Sequence, residues 1–263
     1  MRILFIGDVV GNVGVSMLTD YLGKLKQEYK PQVTIANGEN STPMGRGINL
    51  VAYKKIMSAG VDVVTLGNHA WSNRDINDFI DSEKRLIRPF NFPGKNVPGK
   101  GYTIINVNGV KLAILNFQGR VFMDNLDDPF SLCEQLIGEL KDADCVFVDF
   151  HAEATSEKLA FAKYLDGKVS AVVGTHTHVQ TNDARILPGG TGFLTDAGMT
   201  GPADGMLGMQ DDTVIQRFLD QRPARYSVKE DGRGVISGCV IDVDDTTGHA
   251  KKIKPVNLFD NEV

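Results

Sequence analysis

Three changes of rhythm along the chain predict an α/β fold. Strand-like apolar runs alternate with helix-like segments over the first third, an Asn-Gly turn joins two strand-like segments in the middle, and the last third becomes β-rich. Residues 2–6 read as a buried strand, and residues 17–28 as an amphipathic helix with Leu18, Leu22 and Leu25 on one face. Residues 32–36 form the next strand, 50–57 a helix and 62–66 a third strand, with a further helix expected over 75–81. That alternation implies βαβ units and a largely parallel sheet.

Residues 102–107 and 111–116 flank Asn108-Gly109, the signature of a two-residue type I′ hairpin. A helix over 132–140, a strand over 145–150, a helix over 156–164 and a strand over 171–173 restore the α/β rhythm. Beyond Arg185, strands are expected over 192–195, 234–243 and 251–253, interrupted by a helix over 213–219. Parallel units followed by antiparallel pairs imply either two sheets or one mixed sheet. No repeat, low-complexity tract or Pro/Gly/Ser linker divides the 263 residues, so one domain over 1–263 is expected. A domain near that size can bury about 75% of its unfolded surface and needs no disulfide support.

Composition narrows the function classes. A formal charge of −5 argues against a dedicated nucleic-acid surface, and Lys54-Lys55 and Lys251-Lys252 read as solvated faces. Cys133, Cys145 and Cys239 are odd in number and scattered, which fits apolar packing in a reducing compartment. The opening apolar run breaks at Gly7-Asp8 without the form of a signal peptide, and no stretch approaches the ~20 apolar residues of a membrane span. A soluble, cytoplasmic protein is expected.

The chemistry gathers where expected strands run out. Asp8 follows 2–6; Glu39 and Asn40 follow 32–36; Asn68 and His69 follow 62–66; His151 follows 145–150; His176 and His178 follow 171–173. Taken singly, these residues have ordinary readings: a helix cap for Asp8, turn residues for Asn40 and Asn68, and a hydrogen-bonded loop histidine for His69. Open α/β sheets, however, take ligands outside the carboxyl ends of their strands, so the five ends point to one site. Its nitrogen and oxygen donors suit a transition metal and suffice for two ions. Glu39 is costly to bury unless paired or metal-bound, and its two oxygens could bridge two ions. Gly11 and Gly14 lack dinucleotide-loop spacing, and no phosphate-loop Gly-Lys-Ser/Thr occurs. His249, in the polar turn Thr246-Thr247-Gly248-His249, reads as a surface histidine. Arg46, in Gly45-Arg46-Gly47, could reach a phosphate, although an exposed loop arginine is the simpler reading. The Gly-rich segment 195–202 either borders the cleft or is structural.

In order along the chain, these motifs resemble those of calcineurin-like metallophosphoesterases: an aspartate with a following histidine, a bridging acid, Gly-Asn-His, a lone histidine and a His-x-His pair. Val10 stands where the first motif has its histidine, Asn37-Gly38-Glu39-Asn40 replaces the second, and Ala70 replaces the acid after Gly67-Asn68-His69. Those departures resemble the narrower YmdB-like group of bacterial phosphodiesterases, as do the runs from Asp149 to Lys158, from Val173 to Thr181 and from Thr195 to Pro202. The resemblance covers nearly the whole chain.

It implies two mixed β-sheets packed face to face with helices outside, an α/β/β/α sandwich. It also implies two divalent or mixed-valence ions, iron or manganese. Asp8, Glu39, Asn40 and His178 would hold one ion, and Glu39, Asn68, His151 and His176 the other. The expected reaction is hydrolysis of cyclic nucleotides, especially 2′,3′-cyclic nucleoside monophosphates, by a metal-bridging hydroxide with His69 as general acid. The resemblance further allows self-association into a homo-oligomer. Two alternatives stay open: another phosphoesterase or metallohydrolase on the same centre, and a metal-binding regulatory or nucleotide-sensing protein of low turnover. Val10 and Ala70 motivate the second.

Overall fold

In the computed structural model, which describes residues 1–262, strand Arg2–Ile6 (β1) passes through Gly7 into the two-residue strand Asp8–Val9 (β2) and then into helix Gly11–Tyr29 (α1). Strand Val33–Asn37 (β3), helix Leu50–Ser58 (α2) and strand Val63–Thr65 (β4) follow. β1, β3 and β4 lie side by side and parallel, as the alternation requires. The helix expected over 75–81 does not form. A short 3₁₀ turn, Arg74–Asp78, opens with the Asn73 side chain accepting from the Asp75 amide and buries Ile76 with Phe79 and Ile80. One turn is enough to sink those three side chains.

Strands Tyr102–Val107 (β5) and Val110–Gln118 (β6) form the expected hairpin, with Asn108 at φ 54° and Gly109 at φ 94°. Both corner residues therefore adopt the left-handed backbone of a type I′ turn. Helix Pro129–Glu139 (α3), strand Cys145–His151 (β7), helix Thr155–Tyr164 (α4) and strand Ala171–Thr175 (β8) come next. Short strands Arg185–Ile186 (β9), Gly192–Leu194 (β10) and Met199–Pro202 (β11) precede helix Asp211–Asp220 (α5). The long antiparallel pair Gly234–Val243 (β12) and Ala250–Phe259 (β13) completes the list. β13 extends well past the expected 251–253. It pairs with β12 alone, which accommodates Pro255, a residue with no amide hydrogen to donate to a second neighbour.

Two sheets result, not one. Seven strands run β2-β11-β12-β1-β3-β4, with β13 also paired to β12, and six run β5-β6-β7-β8-β10-β9. Alternate residues of each strand divide between layers. Ile3 and Phe5 meet Ile114, Phe147 and Val173 between the sheets. Leu4 and Ile6 point the other way, onto Leu18, Leu22 and Ile56 of α1 and α2. On the far side, Leu115, Val148 and Phe150 pack beneath Leu136 of α3 and Phe161 of α4. The four-layer sandwich is thus observed, and central strands buried on both faces explain the uninterrupted apolar runs. The three cysteines are buried and unpaired, and His249 is exposed. Among the described residues, no helix is long and apolar enough to cross a membrane.

The rings of Phe5 and Phe147 lie 5.0 Å apart across the two sheets, and both are fully buried. Phe5→Ala should cost about 3–5 kcal/mol, read as a lower urea midpoint at unchanged slope. A loss below about 1 kcal/mol would contradict a shared, close-packed inter-sheet core.

Candidate metal centre

The carboxyl ends of β1, β3 and β4 in one sheet abut those of β7 and β8 in the other. His151 is the last residue of β7 and stands in register with Thr175, the last of β8. Asp8 opens β2, Glu39 lies just beyond β3, Asn68 just beyond β4, and His176 immediately beyond β8. The edges are stitched together by Asn37, whose Nδ2 donates across the sandwich to Asp149 Oδ2 at 3.0 Å.

His151 is the hub. Its Nδ1 lies 2.9 Å from Thr175 Oγ1, and the Thr175 hydroxyl donates to Asp149 Oδ1 at 2.7 Å. Because that hydroxyl spends its proton on Asp149, it accepts from His151, which assigns a hydrogen to Nδ1. The other ring nitrogen, Nε2, meets Asn68 Oδ1 at 2.9 Å, Glu39 Oε1 at 3.0 Å and His176 Nδ1 at 3.0 Å. One proton can serve only one of these contacts, whereas a cation can serve all four atoms together.

Charge tells the same story. Burial opposes a charged His151, but the adjoining Glu39 carboxylate outweighs it and raises the imidazole pKa. Burial likewise pushes the Glu39 carboxyl up, but the His151 charge and the His69 amide, donating to Oε2 at 3.0 Å, hold it below the usual range. The pocket therefore favours positive charge at this point. Burial pushes His176 down to about 3, leaving a neutral ring. Its Nε2 pairs with Glu153 at 3.2 Å, so Nδ1 is left to face His151.

His178 donates from Nδ1 to the Leu207 carbonyl at 3.1 Å and turns Nε2 toward Asn40, 3.3 Å away. His176 and His178 both hold left-handed backbones, φ 98° and 63°, a conformation uncommon for non-glycine residues. Asp8 is fully buried, and burial raises its pKa. Its Oδ2 accepts from the His176 amide at 3.0 Å, while Oδ1 has no hydrogen-bond partner and stands 3.7 Å from His151 Nδ1.

Two observations test whether a metal fits. Among the described residues, the only carboxylate and amide oxygens that are buried and unpartnered, apart from Gln118 Oε1, are Asp8 Oδ1 and Asn40 Oδ1, and both belong to the expected ligand set. Turning the Asn40 amide over would aim that oxygen at Glu39 and His178, where Nδ2 now sits 3.1 and 3.3 Å away. Gly67 supplies the second observation. A Cβ there would stand 2.3 Å from the His151 ring and 2.4 Å from Glu39 Oε2, so the residue keeps space open beside the cluster. Donor atoms of Glu39, His151 and His176 lie within 4.8 Å of one another, a grouping suited to one ion. The residues present fit a metal.

Asp8, Glu39, Asn40, Asn68, His151, His176 and His178 are thus brought together. His69 sits at the rim, half-buried, with Nδ1 3.1 Å from Ser72 Oγ. Burial lowers its pKa. Arg46 lies outside the cluster on an exposed loop. The segment 195–202 is structural in part, since Met199 of β11 pairs with Asp8 and fixes its strand.

Sequence reading missed the supports. Asp149 is fully buried, accepts from Asn37, Thr65 and Thr175, and is raised by burial to about 7. Its signal was available: an acid inside the apolar strand Cys145–His151. Lys158 and Asp196 form a fully buried ion pair at 2.6 Å, and Asp196 Oδ2 also accepts from the Thr177 amide and hydroxyl between the paired histidines. Nothing local in the sequence links those two positions. Lys158→Met should leave Asp196 uncompensated and cost about 3–5 kcal/mol by chemical denaturation; a loss below about 1 kcal/mol would remove the pair as the brace of this loop.

A cavity of about 720 Å³ lies elsewhere, beside Arg88, Phe90, Phe92 and Tyr102. Donor chemistry, not cavity size, locates the site. A family model described as "YmdB-like protein" matches residues 4–256. A Bacillus subtilis protein named 2′,3′-cyclic-nucleotide 2′-phosphodiesterase is 52% identical, covering 100% of this chain and 99% of its own. A Thermus thermophilus crystal structure described as a hypothetical protein has TM-score 0.92 at 42% identity, covering 98% of this chain and 99% of that one. A Mycoplasma pneumoniae structure described as a novel phosphatase has TM-score 0.93 at 32% identity, covering 98% and 93%. The Haemophilus influenzae NAD nucleotidase shares the fold alone, with TM-score 0.60 at 14% identity over 98% of this chain and 56% of that one. By the family model and the near-complete overlap with these relatives, the chain belongs to the YmdB-like protein family.

Proposed function

We propose that the chain is a metal-dependent phosphodiesterase acting on cyclic nucleotides, 2′,3′-cyclic nucleoside monophosphates above all. The observation that carries this reading is the convergence of Asn68 Oδ1, Glu39 Oε1 and His176 Nδ1 on His151 Nε2, all within 3.0 Å. The activity named for the Bacillus subtilis relative supports the substrate class.

Asp8, Glu39, Asn40 and His178 would hold one divalent ion, and Glu39, Asn68, His151 and His176 a second, with Glu39 shared. Mixed nitrogen and oxygen donors suit iron or manganese. Bound there, two such ions would make water acidic enough to ionise near neutral pH and would offset phosphate charge.

The chain's own residues do the rest. Thr175 and Asp149 fix the His151 tautomer so that Nε2 keeps its lone pair. Glu153 does the same for His176, and the Leu207 carbonyl for His178. In the hydrolysis, a water oxygen joins phosphorus, one ester P–O bond breaks, and the departing ribose oxygen takes a proton. His69 is the donor we assign, because its backbone is tied to Glu39 while its ring remains at the rim. The sensing alternative drew on Val10 and Ala70. Both are fully buried, and Val10 packs against Met199 and Val228, so each has a packing role.

Metal analysis and a substrate panel test the proposal. Protein purified without added metal should carry about two ions per chain and should hydrolyse 2′,3′-cyclic AMP faster than a 3′,5′-cyclic nucleotide or a nucleoside monophosphate. Glu39→Ala should empty the centre; two retained ions would refute the shared ligand. His69→Ala should keep both ions yet lose about 10²–10⁴-fold in rate toward esters with poor leaving groups. Loss of metal in that variant would contradict its assignment as acid.

A further inference from the structure

A cavity of about 600 Å³, within the ordinary range for small-molecule sites, opens beside the donor cluster between Thr42, Arg46, Ser72, Asn73, Arg225 and Tyr226. It connects directly to the chemistry, since Ser72 Oγ on its wall lies 3.1 Å from His69 Nδ1.

Its two flanks are held firmly. On one, the loop after β3 turns at Gly45 and Gly47, φ 67° and 75°, with the Thr42 hydroxyl donating to the Arg46 carbonyl at 2.8 Å. Gly47 lies so close to Asn73 that a Cβ would approach the Asn73 amide nitrogen to 2.7 Å, so this loop packs directly on the one carrying Ser72. On the other flank, Tyr226 stands two residues before Val228, which is buried against Val10, Met199 and Val235. The same strip is tied to the turn at 206–209 through the Gln210 amide on the Ser227 carbonyl and the Lys229 amide on the Gly208 carbonyl. That turn presents the Leu207 carbonyl to His178. The wall bearing Tyr226 is therefore connected through backbone to the donor cluster.

The chemistry of the lining is specific. Among the described residues, Arg46 and Arg225 form no ion pair, and Tyr226 is half-buried with no ring partner. Two uncommitted guanidiniums and an uncommitted aromatic face, in a chain of net charge −5, suit an anion carrying a planar ring.

We infer that this cavity is the nucleoside subsite: Tyr226 stacks on the base, Arg225 lies along the same wall, and Arg46 faces the phosphate. The inference deepens the phosphodiesterase reading and rests on it. It assigns specificity for a nucleotide, as against a bare cyclic phosphate, to residues outside the metal cluster.

The test compares 2′,3′-cyclic AMP with 1-O-methylribose 2,3-cyclic phosphate, which has the same reacting group and no base. Tyr226→Ala should raise KM for cyclic AMP about tenfold, leave its kcat, and leave both constants for the base-free substrate unchanged. Tyr226→Phe should behave as the wild type. Arg46→Gln should raise KM for both substrates. Adenosine should inhibit the wild type competitively and Tyr226→Leu much more weakly, which tests the ring without relying on one variant. Equal losses on both substrates in Tyr226→Ala, or no change on either, would overturn the subsite. Wild-type protein that turns over neither substrate would overturn the parent reading and this one with it; turnover of both without discrimination by Tyr226 would overturn this one alone.

Discussion

Buried negative charge at the edge of two sheets is the constraint around which this molecule is arranged. Asp8, Glu39, Asp149 and Asp196 are all withdrawn from water. An isolated buried carboxylate is prohibitively expensive, so each must be neutralised, paired or solvated by protein dipoles. Three different solutions appear. Asp196 takes a lysine and a threonine, Asp149 takes three neutral donors and is pushed toward the protonated form, and Glu39 relies on His151 and backbone. Asp8 is the exception: one oxygen is served by an amide and the other by no hydrogen bond. The unserved acceptor sits among imidazoles, which is the environment a cation would complete.

The two-sheet closure is what makes such a cluster possible. In a single parallel sheet, five strand ends would spread along one edge at about 4.8 Å per strand. Here β3 and β4 end in one sheet and β7 and β8 in the other, so Glu39 and Asn68 meet His151 and His176 across the gap and not along an edge. The inter-sheet core that brings the edges together is thus also the support of the site. Asn37 and Thr65 from one sheet, and Thr175 from the other, all bond to the same Asp149, which locks the spacing.

Much of this was legible in the sequence, for identifiable reasons. The β-hairpin followed from Asn108-Gly109 because turn chemistry is local, and the donor residues followed because strand ends in α/β folds point one way. The failures are non-local. Whether parallel and antiparallel units made one sheet or two depended on which strands pair with β12, nearly the whole chain away from β1. The helix expected over 75–81 had the right apolar spacing, but a single 3₁₀ turn already buried Ile76, Phe79 and Ile80. Lys158 and Asp196 carried no pattern between them, because a tertiary ion pair leaves none. Arg225 and Tyr226 were likewise silent, since only the packing of Val228 brings their strip to the cleft.

Strain and bracing explain why the His-x-His segment needs its own supports. His176 and His178 both adopt left-handed backbones, a conformation that costs of order 1–3 kcal/mol for each non-glycine residue unless its surroundings impose it. The surroundings do so from three directions. The Asp8 carboxylate takes the His176 amide, Asp196 takes both the amide and the hydroxyl of Thr177, and the Leu207 carbonyl takes the His178 ring. Every residue of the tripeptide is therefore held by a group from elsewhere in the chain. Lys158 balances the charge of Asp196 in the interior, so a lysine on α4 supports the segment that carries both histidines.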